Sequence, residues 1–209
     1  MKRNEELIKQ CPKPTGELGC HVASEMNSHH EELWRWGLSF IDIKDNMSIL
    51  DIGCGGGKAI NIMASLSKAK KITGIDYSED MVQFASNVNR NLINQGLVEI
   101  THGDVSSLSF SSDTFDLITA FETYYFWPSL IDNFKEVRRV LKPGGIFLLV
   151  NEAYKDEKFE ERNSSLAKII NMRYNTPEEL TGFLIESGFD SVDNYTIPEK
   201  NWITSVSTK

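Results

Sequence analysis

A chain of 209 residues, 40% hydrophobic and 25% charged, is long enough to bury one large core without disulfide or metal support. Its formal net charge of −8 argues against nucleic acid as a general partner, because such binding depends on neutralising phosphates. No apolar stretch approaches the roughly 20 residues of a bilayer crossing, and the N-terminus lacks the apolar segment of a secretory signal, so a cytoplasmic protein with no membrane partner is expected.

Residues 1–20 are polar and broken by Pro12, Pro14, Gly16 and Gly19, which predicts an arm rather than a domain. The three cysteines, Cys11, Cys20 and Cys54, show no CxxC pairing and fit a reducing compartment. Cys20-His21 has no second Cys/His pair to complete four ligands, so no metal is expected. From about Val22 to Ile41 the pattern turns helical, with Met26, Leu33 and Phe40 on one face and Trp34 and Trp36 as anchors to the core. "MSILDIG" (47–53) predicts a buried strand ending in glycine, and "KAINIMASLSKA" (58–69) a helix. "KAKK" (68–71), the basic cluster, reads as a solvated run. A second strand, "KITGIDYS" (71–78), leads into a helix with Ser78 as N-cap, Glu79 and Asp80 in its first turn and Gly96 at its end.

"LVEITHGD" (97–104) and "FDLITAFE" (115–122) are the third and fourth strands. "SLIDNFKEVRRVL" (129–141) is an amphipathic helix, "KPGG" (142–145) stops it, and "IFLLVNE" (146–152) is a fifth strand. Residues 153–175 are weakly patterned and predict a helix with flanking loop. Thr176 caps the next helix, with Pro177 at its first position and Gly188 as terminator. The strand-like runs 190–197 and 202–208 lie too close for a helical crossover, so they are antiparallel or local. Strands alternating with helices imply an α/β fold, an open, doubly wound and mostly parallel sheet that ends in an antiparallel edge. Ligands in such sheets bind at the carboxyl ends of the strands. The glycine loop, Asp76, Asp104 and Glu122 all fall there.

The loop "GCGGGKA" (53–59) tests three ligands. A phosphate-binding P-loop fails, because Ile52 stands where its first glycine belongs and Ala59 where its hydroxyl belongs. The dinucleotide fingerprint matches at Gly53 and Gly55 but meets Lys58 at its third glycine. That reading is weakened and stays open.

Five segments in order resemble one family: "ILDIGCGGG" (49–57), "GIDYSEDMV" (74–82), "GDVSSLSF" (103–110), "FDLITAFET" (115–123) and "LKPGG" (141–145). The sequence is similar to class I S-adenosylmethionine-dependent methyltransferases, in the branch with quinone-biosynthesis and other small-molecule enzymes. The resemblance implies a seven-stranded sheet, S-adenosylmethionine as cofactor, an arm and lid helix over 1–45 and a catalytic core over 46–209. It implies that Gly53, Cys54, Gly55 and Gly57 meet the methionine part of the cofactor. Asp51 is then an orienting acceptor or a satisfied structural carboxylate. Asp76 would accept from the ribose hydroxyls, with Tyr77 and Met81 packing on the adenine. Gly103, Asp104 and Val105 would meet the adenine edge, and Phe121, Glu122 and Thr123 would lie near the transferable methyl.

A sulfonium already activates its methyl, so no general base is obligatory. The amide-base signature [ND]-P-P-[YF] is missing after the fourth strand; "ETYYFWPS" (122–129) stands there instead. Of Tyr124, Tyr125, Phe126 and Trp127, two are expected to face the site and two to be core, forming a pocket for a small, partly apolar or aromatic acceptor. His29, His30, Glu122, Tyr124 and Tyr125 are the candidates for a base, and Asn27 could reach the cofactor. Three other readings remain: a nicotinamide-dependent oxidoreductase, a methyltransferase acting on protein or RNA, and a non-catalytic binding module. A monomer or homodimer is expected.

Overall fold

The computed structural model describes residues 2–209, with side chains from residue 5 onward. Five strands, β1 (Ser48–Ile52), β2 (Lys71–Asp76), β3 (Val98–His102), β4 (Phe115–Phe121) and β5 (Leu141–Asn151), run parallel. β6 (Ser191–Ile197) and β7 (Trp202–Thr208) form a hairpin, and β7 lies antiparallel between β5 and β6. The sheet order is β3-β2-β1-β4-β5-β7-β6. The chain therefore reverses its direction of travel between β1 and β4, and the parallel strands open their carboxyl ends at that crevice.

Successive side chains of the central strands alternate between two cores, as the pleat requires. Ile49, Leu117, Leu148 and Val150 face α3 (Glu31–Leu38) and α4 (Lys58–Leu66). Leu50, Ile118, Phe147 and Leu149 face α7 (Leu130–Val140) and α9 (Pro177–Glu186). Both faces are covered, which is why these strands read as continuous apolar runs.

Several boundaries depart from the sequence expectations. The N-terminal arm is helical: α1 (Lys2–Gln10) and α2 (Gly16–His29) flank the Pro12/Pro14 link, so the prolines separate two helices instead of preventing them. The helix expected through Ile41 breaks at His30, whose φ of −95° and ψ of 0° separate α2 from α3. The helix after Ser78 divides into α5 (Glu79–Val88) and α6 (Arg90–Asn94) at Asn89, whose buried amide donates to the carbonyls of Gly57 and Ala85. Ser78 holds the N-cap position, but its hydroxyl donates to the Pro14 carbonyl and caps nothing. β5 begins at Leu141, so "KPGG" is a bulge within the strand, where the register against β4 shifts between Phe115 and Leu117. Within 153–175 the chain forms α8 (Glu160–Ile170).

Candidate active site

The glycine loop is fastened from beneath. The amides of Gly53 and Cys54 both donate to the Ile75 carbonyl at the end of β2, at 2.8 and 2.9 Å. Gly53 has φ +71°, and a Cβ there would come within 2.5 Å of the Thr123 methyl. Asp76 accepts from the Gly55 amide at 2.9 Å with one oxygen and from the Ser78 amide at 2.8 Å with the other. Burial raises its carboxyl above the usual range, while those two amides pull it back. Asp51, 1% exposed, accepts from the Thr119 hydroxyl at 2.7 Å through Oδ1, and its Oδ2 is buried without a partner. Burial foremost pushes Asp51 up to about 7, against the Thr119 bond and helped by the charge of Asp76.

Above the loop, the N-terminal helices are pinned across the strand ends. The Tyr77 hydroxyl donates to the Pro12 carbonyl, the Ser78 hydroxyl to the Pro14 carbonyl at 2.7 Å, and the Gly16 amide to Asp80 at 2.8 Å. Asn27 of α2 donates to the Gly56 carbonyl at 3.0 Å. Burial lifts Tyr77 to about 12, so its hydroxyl remains a donor.

Between the loop and the N-terminal helices lies a cavity. Asp51, Gly53, Cys54, Gly55, Asp76 and Tyr77 line it from β1, β2 and their loops. Met81, Gly103, Asp104 and Val105 form its far wall, and Phe121 and Glu122 close it at the end of β4. Gly57 stands outside: with φ +74° it starts α4, and a Cβ there would come within 2.6 Å of Asn89 Nδ2 and 2.8 Å of Ala85 Cβ. It serves the packing of α4 on α5.

Of the five base candidates, the fold brings His30 and Glu122 to the cavity. His29 is exposed on α2 and points elsewhere. Tyr124 and Tyr125 are core residues, 0% and 4% exposed, and the Tyr125 hydroxyl is bonded to the backbone of Ala153. Phe126 and Trp127 line the cavity. Sequence reasoning missed several lining residues. Cys11, Pro12 and Pro14 come from the arm, whose polar composition gave no sign of a role. Trp34, read as an anchor, both packs in the core and lines the cavity. Glu152 was missed as the partner of His30, at 3.5 Å; the signal was an apolar strand ending on an acid, as β4 does.

Glu122 has φ +61°, and its Oε1 is buried without a partner. Burial, then the charge of Glu152, pushes its carboxyl well above the usual range. Burial acts on Glu152 too, but the His30 imidazole and Arg162 outweigh it and hold that carboxyl low.

A family model described as a methyltransferase domain matches residues 50–149. Over 151 residues, 72% of this chain, the sequence is 33% identical to squalene methyltransferase 1 of Botryococcus braunii. Over 147 residues, 69% of the chain, it is 32% identical to demethylmenaquinone methyltransferase of Staphylococcus aureus. These matches span 38% and 60% of those relatives, so the chain accounts for part of their length. In fold it is similar to a Haloferax volcanii methyltransferase solved with the Trm112 methyltransferase activator, at TM-score 0.79 and 18% identity, with 97% of each chain covered. By the methyltransferase-domain match and these relatives, the chain belongs to the class I S-adenosylmethionine-dependent methyltransferases.

Proposed function

We propose that this protein binds S-adenosylmethionine in the crevice between β1 and β4 and methylates a small, partly apolar or aromatic acceptor. The observation that carries the reading is an open backbone loop facing carboxylates with acceptor capacity to spare. A Cβ on Gly55 would meet nothing nearer than 3.9 Å, so the main chain there is bare toward the cavity. Asp51 Oδ2 has no partner and suits an ammonium donor. Asp76, held by two amides, keeps a lone pair on each oxygen, which suits two ribose hydroxyls. Asp104 at the far wall suits an amino group. The cavity lies at the carboxyl ends of the parallel strands, where sheets of this kind bind their ligands.

S-adenosylmethionine supplies a methyl group already activated by the sulfonium charge. The chain's own part is to bind, align and exclude water. Trp34, Phe121, Phe126 and Trp127 give the dry wall for this, and their faces favour positive charge. No observation favours nicotinamide. Isothermal titration of the purified chain with S-adenosylmethionine, S-adenosylhomocysteine and NADH tests the reading. Saturable binding of the adenosyl ligands, abolished in Asp76→Ala, is expected; saturation by NADH with no heat from either adenosyl ligand overturns it.

A further inference from the structure

Besides Asp51, Asp76 and Asp104, the cavity is lined by a fourth acid, Glu122. β4 delivers Glu122 there with φ +61°, an uncommon backbone for a residue with a side chain. Its amide is bonded to the Val150 carbonyl at 2.9 Å, which holds the residue against β5. Its Oε1 is buried without a partner, as is the nearby Trp34 Nε1, and the cations closest to it are engaged elsewhere. His30 Nε2 faces Glu152 Oε2 at 3.5 Å. Arg162 donates to the Glu152 carbonyl at 3.1 Å and to Asn201 at 2.8 Å. Among the described residues no lysine or arginine lines the cavity.

The walls beside Glu122 are aromatic. Trp34 packs edge-on to His30 at 5.9 Å between ring centroids and tilts against Phe121 at 6.0 Å. A buried acceptor atom without a partner is costly, and a ligand that supplies a donor recovers that cost. An anionic acceptor would meet Glu122 with no lysine or arginine in the cavity lining to balance it. A nitrogen donor satisfies Oε1, and any positive charge on it is favoured by the ring faces.

Resting on the methyltransferase reading, we propose that the Glu122 wall of the cavity selects an amine acceptor: a primary or secondary amine on an apolar body, whose N–H donates to Glu122 Oε1 while the body lies against Trp34, Phe121 and Trp127. When Glu122 is ionised and the bound nitrogen charged, the carboxylate takes the proton, so that the N–H bond breaks, an O–H bond forms and the nitrogen lone pair is freed.

The experiment is equilibrium binding to protein saturated with S-adenosylhomocysteine, using 2-phenylethylamine, 2-phenylethanol and phenylacetate as matched probes. The amine is expected to bind at least about tenfold more tightly than the alcohol, and phenylacetate more weakly than either. Glu122→Gln, which keeps the shape and removes the charge, is expected to weaken the amine about tenfold, with melting temperature checking the fold. Comparison of the three probes on the unaltered protein needs no variant. Alcohol or phenylacetate binding as tightly as the amine, amine binding indifferent to the substitution, or no amine binding to the loaded protein each overturns the proposal. Failure to bind S-adenosylhomocysteine at all overturns the methyltransferase reading instead, so the two failures are read from different titrations.

Discussion

Asp51 shows how a single side chain can set stability against binding. Its carboxyl is raised from 3.8 to about 7 by burial. Between those values the folded chain keeps a proton that the unfolded chain releases, so this group's contribution to stability falls as pH rises from 4 to 7 and stays lost above. Asp51→Asn retains an acceptor for Thr119 and removes the charge. At a little over 1 kcal/mol per unit, less the amide's own need for a partner, the ligand-free variant should gain about 1–3 kcal/mol at pH 8. Near pH 4 the gain should vanish. Urea unfolding at the two pH values measures both, and titration with S-adenosylhomocysteine should show the same variant binding more weakly. Gly53→Ala should act in the opposite sense on stability. With φ +71° and the Thr123 methyl 2.5 Å from a new Cβ, it should lose about 1–3 kcal/mol in the same assay.

At the scale of elements, the C-terminal helix α9 is a case where local chemistry suffices. Thr176 accepts from the Glu179 amide at 3.1 Å, and Glu179 accepts from the Thr176 amide at 2.9 Å, with Pro177 at the first turn. Thr176→Ala should cost about 1 kcal/mol, read as a lower urea midpoint at unchanged slope. The central strands were legible for a similar reason: burial on both faces writes itself as an unbroken apolar run. Where an element's reason to form is distant, the sequence falls silent. α1 and α2 hold because Pro12, Pro14 and Gly16 bond to Tyr77, Ser78 and Asp80, more than sixty residues away in sequence. The same distance hid Cys11 and Glu152 from the site, whereas Asp51, Asp76 and Glu122 were legible because each follows or ends an apolar strand. Tyr77→Phe removes one of these long-range bonds and should raise amide exchange in residues 5–15 while leaving the strands protected.

For the molecule as a whole, charge is the dominant bias. The chain carries −8, and the described lining of the cavity holds four carboxyl groups, Asp51, Asp76, Asp104 and Glu122, and no lysine or arginine. Burial makes Asp51 and Glu122 keep their protons to higher pH than carboxyls usually do. Such a field draws cations inward and weakens as salt shortens its reach from about 30 Å at 0.01 M to about 3 Å at 1 M. Stopped-flow association of S-adenosylmethionine, net positive, should therefore slow severalfold across that range, and that of S-adenosylhomocysteine, net neutral, much less. The placement of the four tryptophans has an optical consequence. Trp34 and Trp127 border the cavity, while Trp36 and Trp202 pair 5.9 Å apart against each other elsewhere. Two indoles thus serve as a fixed internal standard while the other two change surroundings when the cavity fills, so intrinsic emission alone gauges occupancy, with no label attached.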